Sequence, residues 1–239
     1  MAKDNEPSRQ AKATVKTAVL IDGGFFQKAY RRHFPDGRKH TPAQVAANMH
    51  RMALAHAHWD DGELYRIFYY DCAPFAKKVH NPISKRLVDF GKTEEHHFRE
   101  QFLDELKRKR KVAIRLGELH DGGGWGIHQR VVRRLLNGKQ ELAELTDQDV
   151  YYDVRQKGVD IKVGLDIASL AYKRLVGRIV LISGDSDFVS AARLARREGI
   201  DFILDPMWNH VKPSLHEHID GLRTPFPRPG TQEGERRDN

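Results

Sequence analysis

Cysteine is the scarcest resource of this chain: Cys72 is the only one in 239 residues. That count excludes an intrachain disulfide and any cysteine-built zinc site. Long apolar runs are missing as well, and nothing approaches the roughly 20 apolar residues that a membrane-spanning helix needs. The N-terminal MAKDNEPSRQAKATVK has no apolar core of the kind a signal peptide carries. No internal repeat is visible. Acidic residues are outnumbered, with 33 Asp and Glu against 41 Lys and Arg, leaving +8 before any contribution from 13 His. The excess favours a polyanionic partner, nucleic acid first among them. These absences make a cytosolic protein without a membrane partner the economical reading, and they leave a homo-oligomer open. What remains is enough to fold: 39% hydrophobic and 9% aromatic residues exclude wholesale disorder.

Residues 1–16 and 223–239 read as polar, charged or Pro- and Gly-rich tails, and 17–222 as one α/β domain with an inserted segment at 75–150. TAVLI ends at Asp22 and two glycines, the pattern of a buried parallel strand. LYRIFYYD over 64–71, VAIRLGEL, RIVLIS and IDFILDP are further strands. PAQVAANMHRMALAHAH at 42–58 opens on a proline suited to a first helical position. Helices are also expected over 94–111, over KGVDIKVGLDIASLAYKRL, and over VSAARLARREG with Gly199 closing it. DGGGWG at 121–126 reads as a glycine-rich turn and fits no phosphate-loop pattern. Strand and helix alternation in this tight succession implies βαβ units with right-handed crossovers.

In an open α/β sheet, ligands bind beyond the carboxyl ends of the strands. Asp22 ends the first strand, Asp185 and Asp187 follow RIVLIS, and Asp160 opens the helix before it; Asp71 is a fifth candidate. Clustered carboxylates with no basic neighbour repel one another, and oxygen-rich clusters relieve that repulsion by binding Mg²⁺ or Mn²⁺. Such ions activate water and stabilise charge on a scissile phosphate. The plainer alternatives are an N-cap role for Asp160 and a simple turn for GDSD.

QKGVDIKVGLDIASLA followed by RIVLISGDSDFVSAARLARREG resembles the signature half of the NYN domain family, PIN-like metal-dependent nucleases. The matching positions are Asp22, the run Lys157-Gly158-Val159-Asp160, and Ser183-Gly184-Asp185-Ser186-Asp187-Phe188, with Asp166 matching a further acid within the helix. The resemblance covers roughly 17–30 and 150–222. It implies a PIN-like three-layer α/β/α sandwich with a mostly parallel central sheet. It further implies a metal-dependent endonuclease acting on RNA, with Asp22, Asp160, Asp185 and Asp187 as catalytic residues and ligands of Mg²⁺ or Mn²⁺. One departure stands out: many relatives read D-G-x-N where this chain has Asp22-Gly23-Gly24-Phe25. That motivates a second reading, a nucleic-acid-binding or regulatory module with weak or no turnover. A small-phosphoester hydrolase is a third.

Arg31, Arg32, Lys107, Arg108, Lys109 and Lys157 are the candidates for nucleic-acid contact. The basic run 107–111 is expected to wall a groove leading to the acids, and the aromatics Phe25, Phe26, Tyr30 and Phe34 around Arg31-Arg32 suit a single strand. The histidines read as solvated because spacings such as His56/His58 and His96/His97 do not place two rings on one helical face. Cys72 reads as a buried structural thiol.

Overall fold

The structure, a computed structural model, describes residues 14–226. Its strands are β1 (Lys16–Asp22), β2 (Glu63–Cys72), β3 (Lys78–His80), β4 (Leu87–Asp89), β5 (Val112–Ile127), β6 (Val150–Lys157), β7 (Arg178–Ile182), β8 (Asp201–Asp205) and β9 (Gly221–Leu222). Its helices are α1 (Gly23–His33), α2 (Pro42–Ala57), α3 (Glu94–Lys107), α4 (Gln129–Leu136), α5 (Val159–Tyr172), α6 (Val189–Arg197) and α7 (Pro213–His216). Seven strands form one sheet in the order β6-β5-β2-β1-β7-β8-β9, and β3 pairs with β4 in a separate hairpin. All the sheet pairings are parallel except that of β5 with β6.

The two-residue period of a strand sends alternate side chains to opposite faces, and β1 divides its apolar run accordingly. Ala18 and Leu20 join a core with Val163, Ile167 and Leu170 of α5 and Ala192 and Ala195 of α6. Val19 and Ile21 join a second core with Phe26 of α1, Met49 and Met52 of α2, and Phe102 and Leu106 of α3. Helices therefore cover both faces, which is the three-layer α/β/α sandwich expected. Burial on both sides explains why β1 and β7 read as unbroken apolar runs rather than alternating ones.

Several expectations are corrected. Lys16 already belongs to β1, and the backbone carbonyl of Val15 accepts from the Glu63 N–H at 2.9 Å. At the other end Arg223 and Thr224 hydrogen-bond His56 and Asp205, so the packed chain runs past 222. The remaining tail positions, 1–13 and 227–239, lie outside the described residues. DGGGWG is no turn. It is an irregularity inside the 16-residue β5, where the register to β6 shifts between Asp121 and Trp125. Extra residues without ladder partners bulge a strand and increase its twist, and glycine tolerates this.

The run Lys107–Lys111 does not wall the acid site. It precedes β5, and the Lys111 carbonyl accepts from the Ile67 N–H where the pairing of β5 with β2 begins. Val112 pairs with Ile67 and Ile67 with Val19, so Lys111 stands level with Ala18, four residues or roughly 13 Å before Asp22 along the strand and two strands away from it. Lys107 and Arg108 instead form ion pairs with Asp104 and Glu105 along their own helix. His56 is not solvated either. It is fully buried, with Nε2 2.8 Å from Asp205 Oδ2.

Candidate functional site

The carboxyl edge of the sheet gathers the acids by register. Ile21 of β1 sits opposite Ile182 of β7, so Asp22 and Ser183 emerge side by side. The end of β6 pairs with Glu118, one residue beyond the Cys72–Gly117 rung, and delivers the start of α5 to this edge. Asp22 serves two structures at once. Its Oδ1 caps α1 by accepting from the Phe25 N–H at 3.1 Å, and its Oδ2 accepts from Ser183 Oγ at 3.2 Å. Ser183 Oγ in turn accepts from the Asp185 N–H at 3.2 Å, and Asp185 Oδ1 accepts from the Asp187 N–H at 3.0 Å. A chain of short local bonds thus fixes the S-G-D-S-D turn against the end of β1.

Two glycines make this possible. A Cβ on Gly23 would stand 2.4 Å from the Tyr69 hydroxyl and 2.6 Å from the Tyr70 carbonyl, so only glycine lets α1 start this close to β2. A Cβ on Gly184 would stand 2.6 Å from the Phe25 ring. Phe25, the departure from the family pattern, therefore packs onto the turn that carries Asp185.

Asp160 is not the N-cap of α5. Gly158, at φ 78°, occupies that position, and Asp160 stands in the first turn with no capping bond. Burial pushes the Asp22 carboxyl above the usual carboxylate value; the Phe25 N–H and Ser183 work against this, and Asp160 and Asp185 add to it. Asp160 is raised by desolvation and then by Asp185 and Asp187. Asp22 thus feels Asp160 and Asp185, and Asp160 feels Asp185 and Asp187.

The other acids are otherwise engaged. Asp71 is buried and accepts from Arg99, the Cys72 N–H and the Tyr69 hydroxyl. Asp166 accepts from the Tyr70 hydroxyl at 2.8 Å and Arg115 Nε at 3.1 Å, tying α5 to the sheet. Cys72 is buried, and burial raises its thiol, as a structural role requires.

A cleft of about 420 Å³ opens over the acids, lined by Asp22 and Asp185, by Lys28 and Arg32 of α1, and by Asn209 and His210. Of the basic candidates, Arg32 faces this cleft, Arg31 pairs with Glu95 at 2.8 Å, and Lys157 ends β6 at the same edge. Sequence reasoning missed Lys28, Asn209 and His210. Lys28 stands one turn before Arg32, and the Asn-His pair follows β8 at its carboxyl end, so the same edge rule reaches it. The backbone there is unusual: Met207 and Trp208 both have positive φ, and Asn209 Nδ2 closes the turn onto the Pro206 and Met207 carbonyls.

The donor set is carboxylate oxygen, the chemistry of a hard divalent cation. Among the described residues, no group of three His, Cys, Asp or Glu stands close enough to hold an ion alone. Mg²⁺ usually keeps several waters and takes one or two carboxylates together with substrate phosphate. The residues fit an ion shared with a ligand, not one in a closed protein cage.

Comparison with known proteins gives one family: the NYN domain matches residues 127–215, and this domain belongs to the PIN-like superfamily. The match bears out the resemblance read from the sequence. The matched stretch holds Asp160, Asp185 and Asp187, while Asp22 lies before it. A solved structure of a protein of unknown function from Vibrio parahaemolyticus is similar at TM-score 0.44 and 15% identity, over 89% of this chain and 94% of that chain. No curated protein matches. Among the described residues, no helix is long and apolar enough to cross a membrane.

Proposed function

From a chain whose residues 127–215 match the NYN domain, with its nuclease-like fold, we propose a metal-dependent endonuclease that hydrolyses phosphodiester bonds in nucleic acid, RNA by family resemblance. The observation that carries this reading is the cluster at the carboxyl edge, where Asp22 and Asp160 are raised in part by neighbouring acids and no ion pair involves Asp22, Asp160, Asp185 or Asp187 among the described residues. Asp22, Asp160, Asp185 and Asp187 would hold Mg²⁺ or Mn²⁺. A bound ion supplies positive charge that lowers the barrier to attack by water and offsets charge on the phosphate. The chain's own residues do the rest. Ser183 and the Phe25 N–H orient Asp22, the S-G-D turn aims Asp185 into the cleft, and Lys28 and Arg32 attract the polyanion.

Phe25 supports a second reading, a nucleic-acid-binding module without turnover, since it replaces the Asn of the D-G-x-N pattern that many relatives carry. Incubation of end-labelled RNA and DNA with Mn²⁺ separates the two. The enzyme reading expects internal cleavage that Asp185→Asn abolishes. Tight, salt-dependent binding with no cleavage by either protein would establish the module instead.

A further inference from the structure

A second cleft, of about 830 Å³, opens between α1 and the start of α3, and it meets the acid cleft along one side of α1: Gly24, Lys28 and Arg32 line both. We propose that this second cleft binds the backbone phosphates of a single-stranded nucleic acid whose scissile bond lies over the acids, so that α1 is the saddle the strand crosses. The proposal rests on the functional reading above for its substrate class.

Three observations carry it. The first is charge. Lys28, Arg31, Arg32, Arg38 and Arg99 line the cleft against Asp71, Glu94 and Glu95. Asp71 is committed to Arg99, and Glu95 to Arg31. Lys28, Arg32 and Arg38 are exposed, and none has an ion pair or side-chain hydrogen bond among the described residues. Uncommitted cations flanking a concave surface are what a phosphate backbone requires.

The second is continuity. A Cβ on Gly24 would lie 3.6 Å from Asp22 Oδ1 and 3.8 Å from the Gln156 side-chain amide, and that amide reaches Asp71 in the floor of the second cleft at 3.5 Å. The two clefts are therefore one residue apart, and the bare backbone of Gly24 leaves the crossing open. The third is the floor itself. Arg99 Nε is buried and has no hydrogen-bond partner, a costly state for a guanidinium donor. Phe98 lines the cleft beside these cations, with the Arg31 guanidinium 5.3 Å over its ring.

The test measures binding in chelator, so that hydrolysis plays no part. Fluorescence anisotropy of labelled trinucleotide and 12-mer single strands, RNA and DNA, is followed against salt for wild type, Arg38→Ala and the triple variant Lys28→Ala/Arg32→Ala/Arg38→Ala. Each lost phosphate contact should flatten the log K against log salt slope for the 12-mer by about 0.7, and the triple variant by about 2. Arg38→Ala should leave the trinucleotide, which fills only the acid cleft, unaffected. Unchanged 12-mer affinity and slope in the triple variant, with its melting curve unchanged, would overturn the proposal. So would an equal loss for the trinucleotide in Arg38→Ala, or full competition by inorganic triphosphate, which would mark an anion site with no strand path. If the slopes change as stated but no metal supports cleavage, the hydrolase reading fails and the binding path stands. Cleavage without any slope change gives the converse.

Discussion

Replacing Gly184 with alanine probes how the candidate site is held. The added methyl carbon would stand 2.6 Å from Phe25 Cε2 and 3.3 Å from Cδ2, well inside van der Waals contact. Gly184 has no left-handed backbone, so the cost is steric and not conformational. Overpacking of this kind destabilises by about 1–3 kcal/mol. For a chain of this length that corresponds to a fall in Tm of about 2–12 °C. Phe25 is only half-buried, so its ring is the element that gives way, and removing the ring should remove the clash. Four proteins, wild type, Gly184→Ala, Phe25→Ala and the double variant, unfolded by urea, close a double-mutant cycle. The expected coupling is about 0.5–3 kcal/mol in the rescuing direction. Additive losses would refute the claim that Phe25 packs onto the turn that carries Asp185.

Three further outcomes follow from the site and its surroundings. Asp185→Asn keeps an acceptor for the Asp187 N–H and removes a charge that repels Asp22 and Asp160, so without metal it should melt no lower than wild type. Mn²⁺ at a hundredfold excess over Kd should stabilise wild type by about 2.7 kcal/mol, and the variant should lose most of that gain; equal gains in both would contradict the assignment. Asp160 lies above its ordinary 3.8 when folded, so between those values the native state binds more protons than the unfolded state, and stability falls as pH rises through that window. Asp160→Asn should therefore outmelt wild type at neutral pH, by a margin that shrinks toward pH 3.8; a margin that grows on acidification would reverse the sign of the argument. His56→Ala leaves the fully buried Asp205 carboxylate without a partner on Oδ2 and should cost about 3–5 kcal/mol in urea, whereas a loss below about 1 kcal/mol would show that water or Arg223 replaces the ring.

The acids at the strand ends were legible because register and the carboxyl-edge rule are both written locally: an apolar run, then Asp, then glycine. The same local signals gave α2 its proline start and α6 its glycine stop. Positions set by distant packing were not legible. The basic run at 107–111 looks like a binding surface in isolation, and only the direction of β5 places it before that strand, away from the acids. His56 lies between two alanines, and nothing local names a partner for it, yet its helical phase buries it against Asp205, 149 residues away. The glycines of 122–124 signal backbone freedom, and whether that freedom makes a turn or a bulge is decided by β6, a strand with little apolar periodicity of its own. Arg99 stands among the charged residues of α3, and nothing local announces that Asp71 awaits it.

The central proposal is that the acid edge, through Asp22 and Asp185, takes a divalent cation whose remaining ligands are water and phosphate. Anomalous diffraction from crystals soaked in Mn²⁺ tests it most directly. The account predicts a peak between Asp22 and Asp185, within reach of Asp160 or Asp187, and its loss in crystals of Asp185→Asn. Saturating Mn²⁺ that leaves this edge without a peak, or a peak that survives in Asp185→Asn, would contradict it.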